Sequence, residues 1–317
     1  MTSAPAGEDL VQTSRETIQK GSQSFAAAAA LFAPQTRADA EMLYAWCRHC
    51  DDVIDGQTLG HARELLSADE VQRRLEGLYA QTRAALAGEP TDDPAFAAFR
   101  EVARRRAIPE PYAIELIDGF AMDVAGRRYE TIEDTLDYCW HVAGVVGAMM
   151  AIVMGVKPDD LATLRRAQDL GLAFQLTNIA RDIVEDAQNG RVYLPADWLA
   201  QASVPEDAIA APEHRAAVAA LARRLVEAAE PYYASARWGL RGLPFRSAWA
   251  VAAALGVYRE IGVKVVARGA AAWDERVSTS TVEKIGLALG GGLMAARGAT
   301  LDRWRKGPAR PALWSRI

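Results

Sequence analysis

Strand signals are nearly missing from this sequence. Two-residue alternation of β-branched residues is almost absent and hairpin signals are lacking, which excludes a sheet-based fold. Cysteine is scarce: Cys47, Cys50 and Cys139 are the only three in 317 residues. No disulfide framework follows, and a reducing compartment is expected. Cys47-Arg48-His49-Cys50 matches C-x-x-C in form. Its Leu/Ala/Trp-rich surroundings lack the strand–loop–helix setting of a thioredoxin-like site, and no second Cys/His pair stands at finger-like spacing for zinc. An excess of positive charge is also missing. A formal net charge of −5 gives no reason to expect nucleic acid as a partner. No apolar run reaches the roughly 20 residues of a spanning helix. The longest, residues 142–156, carries Gly144, Gly147 and Gly155, which suits close packing in a core. Residues 1–10 show no basic patch ahead of an apolar core, so no signal peptide is expected. Gly290-Gly291-Gly292-Leu293-Met294-Ala295 satisfies G-x-G-x-x-A, but no strand precedes it, so no NADPH site is expected.

What remains is helix, and half of the residues are hydrophobic. A helical pattern runs over residues 11–32 and is broken at Pro34, with Thr36 or Asp39 as the cap of the next helix. That helix runs to Gly56. Ser67 starts another, and residues 92–106 and 112–124 give two more. Residues 131–155 form a long apolar helix. Asp159 caps a helix that ends at Gln188-Asn189-Gly190. Further helices cover residues 212–268 and 280–305, broken at Gly242-Leu243-Pro244. The fold is therefore expected to be all-α: a single-domain helical bundle around a central apolar cavity, with its site built from facing helices. Residues 1–10 are expected to be disordered, residues 11–298 to form the domain, and residues 299–317 to form a basic, Trp-containing tail. That tail holds Arg303, Trp304, Arg305, Lys306, Arg310, Trp314 and Arg316. It reads either as a solvated segment or as a peripheral membrane contact. His141, on an apolar helix, reads as a satisfied core residue.

Two acidic stretches organise the rest. Asp51-Asp52-Val53-Ile54-Asp55 puts Asp51 and Asp55 on one helix face, with Arg48 and Tyr44 upstream on the same face. Asn178 to Asp186 does the same for Asp182 and Asp186, with Asn178 and Gln175 upstream. Acidic clusters on helices are often only solvated faces. Here Val53, Ile54, Ile179, Ile183 and Val184 interleave with the acids, so each stripe belongs to a buried-looking helix and needs cations. Hard oxygen ligands of this kind, completed by phosphate oxygens and water, suit magnesium. Arg181 and Arg191 flank the second stripe and are placed to hold phosphate oxygens. The residues thus point to a magnesium–diphosphate site at the mouth of an apolar cavity.

These motifs resemble the squalene/phytoene synthase family. Tyr138-Cys139-Trp140-His141-Val142-Ala143-Gly144-Val145-Val146-Gly147 is similar to one family signature. Gly171 to Gln175 with Asn178, Arg181-Asp182, Asp186, Arg191, Tyr193 and Pro195 is similar to a second. Tyr44 to Arg48 leading into Asp51 to Asp55 resembles the first aspartate-rich motif, and Gly21-Ser22-Gln23-Ser24-Phe25 the N-terminal substrate segment. The resemblance covers residues 17–284, and the Asn189 to Pro195 loop looks most like bacterial phytoene synthases. It implies an isoprenoid-synthase-type bundle in which Asp51, Asp52, Asp55, Asn178, Asp182 and Asp186 hold Mg2+, with Mn2+ as a substitute. It also implies that Arg48, Gln175, Arg181, Arg191 and Arg276 contact diphosphate, and that Tyr44, Tyr258, Ser22 and Phe25 lie near the leaving group or the reacting carbons. The implied reaction is head-to-head condensation of two geranylgeranyl diphosphates through a cyclopropyl diphosphate to phytoene, in carotenoid biosynthesis. It needs no NADPH and takes place in the cytoplasm or at the inner face of the membrane. A C30 synthase using farnesyl diphosphate and a non-catalytic prenyl-lipid-binding bundle are the alternatives. Glu41 departs from the pattern: it lies one turn before Tyr44, where relatives usually carry an apolar residue.

Overall fold

The computed structural model describes residues 7–21, 23–56, 66–301 and 307–317. Among them no strand occurs, and thirteen α-helices follow one another: α1 Gly7–Gly21, α2 Gln23–Ala29, α3 Pro34–Asp55, α4 Ala68–Leu86, α5 Pro94–Arg106, α6 Glu110–Val124, α7 Ile132–Cys139, α8 Val145–Val153, α9 Leu161–Gln188, α10 Ala196–Gln201, α11 Arg215–Gly239, α12 Phe245–Arg268 and α13 Thr281–Ala299. Local chemistry sets most of these ends. Gly56 closes α3 in the left-handed region at φ 63°, where glycine has no Cβ penalty. Ser67 caps α4 by accepting from Glu70 N, and Thr131 with Asp134 and Ser280 with Glu283 form capping boxes on α7 and α13.

Several expected boundaries move. The first helix starts at Gly7, so the segment expected to be disordered, residues 1–10, is helical over residues 7–10. Helix α3 begins at Pro34, whose missing N–H costs nothing in the first turn. Neither Thr36 nor Asp39 caps it. Asp39 is buried instead and binds Arg105 and Arg106, the latter at 2.6 Å. Asp160 rather than Asp159 caps α9, accepting from Thr163 N at 3.1 Å. Between α7 and α8 the chain widens into a π-helical turn, Trp140–Gly144. This is a rare geometry that concentrates at functional sites.

Helix α9 runs through the middle of the bundle, with Leu164, Leu172, Leu176, Ile179 and Ala180 buried. It packs on α11, α8 and the π-helical turn. At Gly171 a Cβ would fall on the Ala143 carbonyl, so the close approach of α9 to that turn depends on this glycine. Around α9 lies one large apolar core, in which Trp46 stacks on Phe99 at 3.9 Å. Residues 132–153 are long and apolar enough to cross a membrane, but 67% of their most apolar stretch is buried inside the bundle.

The C-terminal tail is anchored on the bundle over residues 307–317 by four half-buried residues, while the other seven stay exposed. Leu313, Trp314 and Ile317 pack on the core. Arg310 binds the fully buried Asp169 at 2.7 Å, and Arg316 reaches Asp137 at 3.1 Å. Arg303, Trp304, Arg305 and Lys306 lie outside the described residues.

Candidate active site

A cavity of about 450 Å³ runs along α9. Its walls are apolar, with Ile18, Ala28, Ala29, Phe32, Val146 and Met150 among them. Most polar lining groups gather at one end: Tyr44, Arg48 and Asp51 from α3, Asp123 from α6, Gln175 and Asn178 from α9, and Arg191 and Tyr193 from the loop after it; Thr163 and Arg166 line the cavity nearer the start of α9. Helices α3 and α9 therefore bring the two acidic stripes together, as facing helices of a bundle do.

Arginines tie the stripes. Arg48 binds Asp51 at 2.9 Å and Asp52 at 2.6 Å within α3. Arg191 crosses from the second stripe to donate both guanidinium ends to Asp55, one of them at 3.4 Å. Arg181 donates to Asp182 through Nε at 2.8 Å and through a second nitrogen. Arg276, in the loop ahead of α13, reaches the same carboxylate at 3.1 Å. Asp52 is buried against Arg48, and like Asp55, Arg181, Asp182, Asp186 and Arg276 it is not among the cavity-lining residues. Ser22 lies outside the described residues.

The acids are nonetheless under-compensated. Desolvation pushes Asp51 up to about 6; Arg48 opposes the rise, and Asp55 and Asp52 add to it. Desolvation also pushes Asp186 up to about 7, with Asp182 adding and Arg191 opposing. Asn178 Nδ2 donates to Gln175 Oε1 at 3.3 Å, while Asn178 Oδ1 is buried and accepts no hydrogen bond. An orphaned amide oxygen among crowded carboxylates is an all-oxygen donor set that fits a hard divalent cation.

Behind the acids stands an aromatic wall. Phe25 lies 6.0 Å from Tyr44 and 6.3 Å from Tyr258, ring centre to ring centre, and Tyr258 stacks on Phe174 at 4.1 Å. Burial lifts the Tyr44 phenol to about 12, so it stays protonated near neutral pH.

Asp123 is a site residue that sequence reasoning missed. It lines the cavity and accepts from Tyr138 at 3.1 Å and Tyr193 at 3.0 Å, two rings stacked at 4.6 Å. Desolvation raises it to about 6, against Arg191. It stands at the end of α6 with no second acid three or four residues before it to mark a stripe.

Other polar features are structural. Glu41 turns away from the cavity and is fully buried between Arg37 at 2.8 Å and Arg15 at 3.3 Å. His141 binds Glu115 at 3.0 Å, which also accepts from Trp140 Nε1 at 2.8 Å. Glu115, Asp118 and His141 come close enough to share an ion, but only as a satisfied cluster outside the cavity lining and apart from the two aspartate stripes. The cysteines are free, and burial pushes the Cys47 thiol up to about 12, which leaves it inert.

An apolar tunnel in an all-α bundle, with facing acids and arginines at its mouth, defines an enzyme that binds diphosphates carrying long hydrocarbon chains. The chain belongs to the squalene/phytoene synthase family, whose profile matches residues 18–283. It is 55% identical to a 15-cis-phytoene synthase of Pantoea ananas over 97% of this chain and 98% of that one. It is 53% identical to another from a Paracoccus species, again over 97% and 98%. Among solved structures it is similar to a dehydrosqualene synthase in complex with ligand, at a TM-score of 0.80 and 26% identity, covering 90% of this chain and 96% of that one.

Proposed function

We propose that this protein condenses two geranylgeranyl diphosphates head to head to phytoene, in carotenoid biosynthesis. The observation that carries the reading is the pairing of this mouth with a tunnel whose wall beside the aromatic cluster is alanine, together with full-length identity to 15-cis-phytoene synthases. Asp51, Asp55, Asn178, Asp182 and Asp186 would hold magnesium, or manganese in its place; Asp52 would assist through Arg48. The metal would supply positive charge against a departing diphosphate. Arg48, Arg181, Arg191, Arg276 and Gln175 bind and orient that group by charge-assisted hydrogen bonds.

Once the allylic carbon–oxygen bond breaks, the cation must be kept from water, and the apolar walls do this. The faces of Phe25, Tyr44 and Tyr258 favour a cation beside them. The double bond of the second substrate then attacks, and loss of a proton closes the cyclopropyl diphosphate. That product ionises in its turn, releasing the second diphosphate, rearranges and loses a second proton. Tyr44, held as a neutral phenol, is a poor acceptor for that proton, which favours the released diphosphate. The Asp123–Tyr138–Tyr193 network braces the Arg191 loop.

Incubation of the purified protein with geranylgeranyl diphosphate and magnesium should release diphosphate and yield a C40 lipid with the ultraviolet absorption of a conjugated triene. A C30 product from farnesyl diphosphate alone would favour the C30 alternative, and absence of diphosphate release would favour a binding protein. A location in the cytoplasm and at the inner face of the membrane fits such a product.

A further inference from the structure

A charge stands in the tunnel far from the diphosphate site. Among the described residues that line the cavity, Arg48, Asp51, Asp123 and Arg191 lie at the mouth, and Arg166 is the one charged residue elsewhere. Arg166 and Thr163, one turn apart on α9, line the far end together with Gly239, Leu240 and Leu243. A guanidinium beside a hydrocarbon chain is costly unless its donors are taken up. Here they are: one nitrogen donates to Ser235 O on α11 at 2.9 Å, and another to Pro308 O in the tail at 2.7 Å.

The surroundings hold this side chain in place. Helix α11 presses on its stem, where a Cβ at Gly239 would come within 2.9 Å of Arg166 Cβ. The two carbonyls that receive its guanidinium are themselves fixed. Asp169, one turn further along α9, accepts from the Ser235 hydroxyl and binds Arg310 at 2.7 Å, which pins the tail two residues after Pro308. Gly307, just before Pro308, lies against Trp238 of α11. Arg166 therefore bridges α9, α11 and the tail at the end of the tunnel.

The distance from the mouth to this bridge corresponds to a chain length. The helical rise puts Arg166 about 18 Å and Thr163 about 22 Å along α9 from Asn178. A helical side chain leans towards the N-terminus of its helix, so Arg166 covers the turn at Thr163. An extended chain advances about 1.2 Å per backbone bond, so the main chain of a geranylgeranyl group reaches about 18 Å and that of a C25 geranylfarnesyl group about 23 Å. The first ends at Arg166. The second overruns it, and has to pull the guanidinium from two charge-assisted hydrogen bonds to fit.

We propose that Arg166 is the end stop of the tunnel and sets an upper limit of C20 on the prenyl chain laid along α9. The inference rests on the proposed reaction, whose substrate length it explains. Its test is the ratio of kcat/KM for geranylfarnesyl diphosphate to that for geranylgeranyl diphosphate, in wild type, R166A and R166K. Both diphosphate release and the length of the lipid product are read. Wild type should strongly favour the C20 substrate. Arg166→Ala should raise the C25/C20 ratio at least about tenfold, as relief of an overfilled wall does, and C50 lipid should appear. Arg166→Lys keeps a long cation at the stop and should keep the wild-type ratio. Arg166→Gln retains part of the side chain, and should move the ratio in the same direction as alanine if losing the tail contact unfolds R166A. An unmoved ratio in the folded neutral variants, a lysine variant as permissive as alanine, or a wild type that takes both substrates equally would each overturn the end stop. Turnover of geranylgeranyl diphosphate with an unmoved ratio sinks the stop alone, whereas a wild type without that turnover sinks the proposed reaction and the stop with it.

Discussion

At the residue scale the site turns on carboxylates held close together by arginines. Asp182 carries two of these contacts, from Arg181 and Arg276. Asp182→Ala should lower turnover at least about a hundredfold, the range typical of removing one preorganised electrostatic group, while the helical circular dichroism spectrum persists. Turnover at the wild-type level in saturating magnesium would show that the acidic stripe does no chemistry. Ala29 offers a second measurement. It is buried and lines the tunnel beside Phe25 and Phe32. Filling a packed wall costs about 1–3 kcal/mol, so Ala29→Phe should shift preference from geranylgeranyl towards farnesyl diphosphate. The ratio of C40 to C30 product from mixed substrates measures that shift, and an unaltered ratio in a folded variant would mean that this wall does not gauge chain length.

At the scale of elements, what was legible depended on whether a signal was local. The stripes on α3 and α9 are periodic, and each repeats its side chains at three and four residues, so their faces could be read directly. Ser67 could be read as a cap for the same reason. The π-helical turn at Trp140–Gly144 could not, because it changes hydrogen-bond register without changing composition. Asp123 has no helical partner, and its meaning comes from Tyr138 and from Tyr193, 70 residues away. Glu41, out of place as a tunnel residue, makes sense only once α1 brings Arg15 to it from 26 residues away. The tail is the plainest case. Arg310 looks like any surface arginine in the sequence, yet it crosses 141 residues to the buried Asp169, which also accepts from Ser235. Removing one partner of such a pair strands the other charge, at a cost of about 3–5 kcal/mol. Arg310→Ala should therefore lower the thermal midpoint by well over the few degrees typical of a surface change. A midpoint within a degree or so of wild type would show that the tail is not a structural clamp.

At the scale of the whole molecule, the question is how the reaction ends. A squalene-type enzyme finishes by hydride transfer from NADPH, and a phytoene-type enzyme finishes by losing a proton. The G-x-G-x-x-A string at Gly290 lies in the middle of α13, not between a strand and a helix. A nicotinamide pyrophosphate needs the backbone N–H groups of a helix N-terminus after a strand, whereas these residues have their N–H groups committed inside the helix. Gly291 and Gly292 serve instead to let α13 approach Ala252, Ala253 and Trp249. In the Arg191 to Pro195 loop, the Tyr193 hydroxyl is taken up by Asp123 at 3.0 Å, which fixes the loop beside Arg191, the arginine paired with Asp55. The prediction is that product forms from geranylgeranyl diphosphate at the same rate with and without NADPH, and that its central bonds form a conjugated triene. Ultraviolet spectra of the extracted lipid, taken alongside the time course of diphosphate release, test both halves at once. A strict NADPH requirement, or a saturated central bond, would mean that this tunnel ends its chemistry with hydride transfer.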